Sequence, residues 1–220
     1  MISREHGAED SARDKSAAWG KNASRENWVR IEKEAIASLP LGQFKGKVVV
    51  VESAADARAA VQRLGSEEML GFDTESRPSF TRGVSYLPSL VQLAAEDVVY
   101  LFRLALCGGV SALFPIFCNE RILKVGVAVR DDVRGLQERA PFDDAGFVEI
   151  SEYTRKAGVE NTGLRALVAH YLGLRVSKGA QVTNWASNRL TPQQITYAAT
   201  DAWMSRCLYE RIKTLGLVRA

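Results

Sequence analysis

The stretch Gly71-Phe72-Asp73-Thr74-Glu75-Ser76 constrains the fold more than any other. It closes an apolar run from Glu68 to Phe72 that reads as a strand entering a core. Side chains two apart in a strand share a face, so Asp73 and Glu75 would project together from a buried sheet. Like charges held that close resist desolvation unless a cation, a shared proton or several donors accept them. A hard divalent metal with oxygen ligands is the natural acceptor. The competing reading is a strand end that turns one carboxylate to solvent, and an Asp-x-Glu taken alone favours it.

A second stretch, Leu190 to Trp203, shifts that balance. Thr191 and Gln194 form a capping-box pattern and Pro192 falls at the first helical position, so a helix starts here. Tyr197 and Asp201 are then one turn apart on one face, where a phenol and a carboxylate can orient a bound water. By themselves the two residues favour an amphipathic helix with a core tyrosine and a solvated acid. A third acidic element, Asp131-Asp132, lies where the apolar run Ile122–Val129 meets a helix expected over Asp131–Arg139. Register assigns Asp131 to the helix cap and Asp132 to the site, because Asp132 shares a helical face with Leu136.

The remaining elements supply a scaffold. A length of 220 residues with 46% hydrophobic content allows one α/β domain with tails. Residues 1–23 lack apolar periodicity and are expected to form a mobile tail. Residues 24–42 form an N-terminal helical extension, with a helix over Arg25–Leu39 packing on the domain edge, and 43–220 form the domain. Val48–Val51 reads as a buried strand and Ser53 caps a helix to Leu64. Ser89–Ala95 and Val98–Phe102 make a hairpin beside the Asp73 strand. Residues 110–118 read as helical, Phe147–Ile150 as a strand, and the chain from Asn161 as a helix that stops at Gly173. This order predicts a mixed sheet of five to six strands flanked by helices. In such sheets ligands sit at the strand ends, within reach of all three acidic elements.

The net charge of +3 permits an anionic partner without demanding one. Cys107, Cys118 and Cys207 are odd in number and lack zinc spacing, so they read as reduced thiols of an intracellular, soluble protein. No run suits a membrane span or a signal peptide. The compartment is expected to be cytoplasmic for a bacterial chain and nuclear for a eukaryotic one.

Asp73-Thr74-Glu75, Lys124 to Asp132, and Tyr197-Ala198-Ala199-Thr200-Asp201-Ala202 together resemble the three motifs of the 3′-5′ exonucleases of the ribonuclease D superfamily. The match is to the branch with a tyrosine in its third motif, which includes the Werner-type domains, and runs over roughly residues 45–215. A sister branch places a histidine five residues before the last Asp, where this chain has Thr196; its histidines are His6 and His170. The resemblance implies a ribonuclease H-like fold and two divalent ions, Mg²⁺ or Mn²⁺, about 3.5–4 Å apart. It further implies that Asp73 bridges the ions, Glu75 and Asp201 hold the ion on the side of the attacking water, Asp132 serves the second ion, and Tyr197 holds the water. The implied partner is the 3′ end of DNA or RNA; no protein partner is implied.

Substrate contacts are expected from Thr74, Leu87, Gln92, Lys178 and Trp185. Leu87 and the Leu90-Val91-Gln92 strand match the region that lines the pocket for the last nucleotide, and Arg77, Arg82 and Arg189 could meet phosphates. Each of these also has a plain core or solvated-surface reading, and for Trp185 packing is the stronger one. Arg77 departs from the Werner-type motif, which has an apolar or aromatic residue there. The rival function is a non-catalytic nucleic-acid-binding module on the same fold, against which stands the presence of all four acids and the tyrosine.

Overall fold

The β-branched run Val48–Val51 lies within β1 (Lys47–Val51), as its composition predicts. In this computed structural model, which describes residues 31–218, it pairs in parallel with β4 (Val98–Arg103) at one edge of a six-stranded sheet of order β1-β4-β3-β2-β5-β6. β3 (Pro88–Ala94) runs antiparallel to both β4 and β2 (Met69–Ser76), so the expected hairpin lies beside the Asp73 strand. β2 continues in parallel to β5 (Leu123–Gly126) and β5 to β6 (Phe147–Glu149). The mixed, helix-flanked sheet anticipated above is the architecture found.

Alternation along β2 divides the interior. Leu70 and Phe72 enter one core with Val91, Leu93, and Val133 and Leu136 of α4 (Val129–Arg139). Gly71 and Asp73 face the other side, where Leu90, Ala94 and Leu101 pack against Ala198, Ala199 and Ala202 of α7 (Pro192–Thr214). Farther along α7, Leu208 and Ile212 pack with Val125 and with Leu167 of α6 (Leu164–Leu172). Each fully buried Leu, Val, Ile or Phe among them contributes about 1.5–3 kcal/mol relative to exposure.

α7 starts as predicted. The Thr191 hydroxyl accepts from Gln194 N at 3.2 Å, and Thr191 N donates to Gln194 Oε1 at 2.9 Å. The segment ahead of it is pinned by Arg103, which donates to the carbonyls of Ser187 and Asn188 and to Glu52. α6 ends at Gly173 in the left-handed conformation, as expected. α2 (Ala54–Leu64) is capped by the Ser53 hydroxyl, which accepts from Asp56 N at 3.1 Å.

Several boundaries differ. β5 stops at Gly126, not Val129, because Ala128 turns into the left-handed region at φ 66° and α4 begins at Val129. Asp131 is not the cap of that helix. It sits exposed in the first turn, paired with Arg134, and the orphan N–H groups are taken by Glu149 instead, which accepts from Ala128 N at 3.2 Å and Val129 N at 2.8 Å. β6 ends at Glu149, whose carboxylate also accepts from Ser151 N at 3.1 Å and so starts α5 (Ile150–Lys156), a helix absent from the sequence reading. Residues 110–118 split into a 3₁₀ turn over Val110–Leu113 and α3 (Phe114–Phe117). Of the first expected helix, α1 (Lys33–Ser38) is described; the 1–23 tail, His6 and Trp28 lie outside the described residues. Cys107, Cys118 and Cys207 are free thiols, and Cys118 is exposed. No described helix is long and apolar enough to cross a membrane.

Candidate active site

Asp73 and Glu75 project from the face of β2 that α7 covers, and Asp201 is presented to them from the third turn of that helix. Carboxylate oxygens of the three acids all lie within 4.8 Å of one another. Two contacts fix α7 at this height above the sheet. Gly71 admits the helix backbone, since a Cβ there would stand 2.0 Å from the Ala202 carbonyl oxygen, and Arg206 donates to the Met69 carbonyl at the start of β2. Tyr197, one turn before Asp201, is buried with it on the same face.

Asp132 reaches the site from the opposite layer. Thr74, between the two β2 acids, points toward α4 and donates from Oγ1 to Asp132 Oδ1 at 2.5 Å. Asp132 is therefore not within the tight three-acid group, but it is near enough to raise the pKa of both Asp73 and Glu75. Alternation along one strand thus supplies two acids to one face and an anchor for a fourth on the other.

The electrostatics are those of anions whose burial and mutual repulsion outweigh the nearby donors and cations. Burial, then the charges of Asp132, Asp201 and Glu75, push Asp73 well above the usual carboxylate range. Burial and the charges of Asp201 and Asp132 raise Glu75 to about 9. Asp132 rises to about 7 through burial, despite the Thr74 hydroxyl that favours its anion. Asp201 rises to about 7 through burial, while the Tyr197 hydroxyl and the Arg165 charge pull it down. Tyr197 itself is raised far above an ordinary phenol by burial and by the Asp201 and Glu75 charges. Asp201 Oδ1 has no hydrogen-bond partner among the described residues, so the orphaned oxygen is the kind of donor a hard cation completes.

Asp73, Glu75, Tyr197 and Asp201 line a cavity of about 530 Å³ together with Thr74, Lys178, Arg165 and Lys33; Asp132 is not part of its wall. Lys178 is thus placed at the site. Leu87 is half-buried just before β3 and is not among the residues lining this cavity. Gln92 pairs with Asp73 across the β2–β3 ladder but is fully buried, and α7 covers the face where a nucleotide pocket was expected. Trp185, only 2% exposed, packs on the Tyr197 ring with centroids 6.0 Å apart. Arg77, Arg82 and Arg189 are exposed. The sequence reading missed Glu149 and Arg165. Nothing in the sequence signalled Glu149, because the helix it caps begins at Val129 behind Ala128, which has no capping side chain.

Comparison with known proteins gives a consistent picture. Residues 48–216 match the family described as 3′-5′ exonuclease. The mouse bifunctional 3′-5′ exonuclease/ATP-dependent helicase WRN is 28% identical over 81% of this chain, which spans 14% of that protein. Ribonuclease D of Gluconacetobacter diazotrophicus is 29% identical over 74% of this chain, which spans 41% of it. Among solved structures, the Nibbler EXO domain of Aedes aegypti superposes with a TM-score of 0.71 at 25% identity, covering 80% of this chain and 93% of that one.

Proposed function

This chain belongs to the 3′-5′ exonuclease family, and from that premise we propose that it hydrolyses the last phosphodiester bond at the 3′ end of a DNA or RNA strand, releasing nucleoside 5′-monophosphates. The single observation that carries the reading is the gathering of Asp73, Glu75 and Asp201 oxygens within 4.8 Å, with Asp132 beside them. Four carboxylates in a buried cleft repel one another, and an all-oxygen donor set suits Mg²⁺ or Mn²⁺. When bound, two such cations supply an acidified water and neutralise charge developing at phosphorus.

The chain's own residues do the rest. Asp73 feels the charges of Asp132, Asp201 and Glu75 together, so it would be the carboxylate suited to hold a cation with either side of the cluster. Thr74 holds Asp132 in orientation by its hydroxyl. Tyr197 keeps its proton at working pH because its pKa is raised, which makes it a donor that orients a water rather than a base that takes a proton from it. Lys178 lines the same cavity and is placed to meet a phosphate oxygen.

A time course with 3′-labelled and 5′-labelled oligonucleotides of DNA and of RNA tests this reading. Release of labelled mononucleotide from the 3′ label, a descending ladder from the 5′ label, and loss of both in Asp73→Ala support it. Binding of oligonucleotide without any product under Mn²⁺ would instead assign a non-catalytic nucleic-acid module.

A further inference from the structure

Beside the acids, the cleft changes sign. Lys33 of α1, Arg165 of α6 and Lys178 line the cavity that holds Asp73, Glu75 and Asp201. The same three cations, with Ile36 and Arg175, line an adjoining cavity of about 360 Å³. None of Lys33, Arg165, Arg175 and Lys178 forms an ion pair with a carboxylate among the described residues. Arg165 and Arg175 each anchor through Nε, to the Val176 carbonyl at 3.3 Å and the Leu39 carbonyl at 2.9 Å, and among the described residues these bonds do not use the outer nitrogens of either fork.

α1 is held in this position by the residues that follow it. Six residues with no fully buried side chain cannot sustain a helix alone. Pro40 O accepts from Arg175 N at 2.9 Å and Gly42 N donates to Arg175 O at 2.9 Å, a short parallel bridge that straps the helix to the cleft. α1 also lies outside residues 48–216, the span the family match covers.

We infer that α1 is a strand guide. Lys33, with Arg165, Arg175 and Lys178, forms a phosphate track for the part of a polynucleotide on the 5′ side of its last residues, and Ile36 covers an adjacent sugar. The inference rests on the exonuclease reading and deepens it by naming where the uncut strand runs. Its physical basis is complementarity: a polyanion repelled by the carboxylates needs compensating cations beyond them, and free cations along a groove track a backbone without reading its sequence.

Steady-state kinetics with a dinucleotide and with an oligonucleotide of about 12 residues, a length within the usual single-strand site size, separate the possibilities. In the full chain, Lys33→Glu raises KM for the longer substrate on the order of tenfold, leaves kcat unchanged and leaves the dinucleotide unaffected, whereas Lys33→Arg behaves as wild type. Anisotropy of a labelled oligonucleotide in EDTA shows the salt dependence of binding reduced by about 0.7 in slope for Lys33→Glu, the loss of one single-strand phosphate contact. Equal effects on both substrates, no effect on either, or a lower KM for the longer substrate overturn the guide role while wild-type turnover upholds the exonuclease reading. A wild-type chain that degrades neither substrate overturns both.

Discussion

Gly71 and Ala202 are in contact backbone to backbone: a Cβ on Gly71 would come within 2.0 Å of the Ala202 carbonyl oxygen. The neighbouring positions on each element are Asp73, two along the strand, and Asp201, one along the helix. The distance between two acids 128 positions apart in sequence is therefore set by a missing methyl group. Gly71→Ala forces α7 away from β2 at a cost of about 1–3 kcal/mol, as overpacking does, which for a domain of this size lowers Tm by about 2–4 °C per kcal/mol. Turnover falls although no acid is altered, and thermal unfolding together with nuclease rate checks both effects.

Charge in the cleft makes the metal-free protein sensitive to pH in a definite direction. A carboxyl group whose pKa is raised on folding favours the fold while it is protonated. That contribution is complete below the unfolded value of about 4. It is lost as pH climbs through about 7 for Asp132 and Asp201 and about 9 for Glu75. In EDTA, Asp201→Asn matches wild type near pH 4, exceeds it in Tm as pH rises through that window, and gains less from added Mg²⁺. A variant that is less stable than wild type at about pH 8 would show that the repulsion is relieved within the protein itself.

Glu149 supports Asp132 from a distance. Its carboxylate accepts from Ala128 N, Val129 N and Ser151 N, so it starts both α4, which carries Asp132, and α5. Glu149→Ala leaves those groups without their acceptor and costs about 1–3 kcal/mol. Glu149→Gln, which keeps one acceptor oxygen, recovers part of the loss. Chemical denaturation measures the stability, and the nuclease rate of the folded fraction shows how far Asp132 has shifted.

Tyr197→Phe removes a hydroxyl and leaves the ring on Trp185. The expected outcome is a rate lower by about 10–100-fold with the cation affinity little changed, the usual consequence of losing a group that orients a metal-site water. Full activity in this variant would remove Tyr197 from the reaction.

Local chemistry was legible in the sequence. The Asp73/Glu75 spacing, the Thr191–Gln194 box and the Tyr197/Asp201 turn each depend on residues a few positions apart, and each stands where the pattern places it. Contacts between distant residues were not legible. Thr74 reaching Asp132, Glu149 capping a helix that begins 20 residues before it, and Arg103 holding the segment before α7 all require the fold. Ala128 gave no warning that it adopts a left-handed conformation, so the strand before it was read too long and Asp131 was given a capping role. Gln92 was matched to a pocket lining by resemblance alone, yet it is fully buried where it pairs with Asp73, which only the packing of α7 on this face reveals.

The central claim is that Asp73, Glu75 and Asp201 jointly seat a divalent cation with Asp132 close by. Crystals grown from the full chain and soaked in Mn²⁺ test it through the anomalous signal of the metal. The expected result is a strong peak bonded to the Asp73 and Asp201 carboxylates and absent from Asp201→Asn crystals. A peak confined to other residues, or none at saturating Mn²⁺, contradicts it.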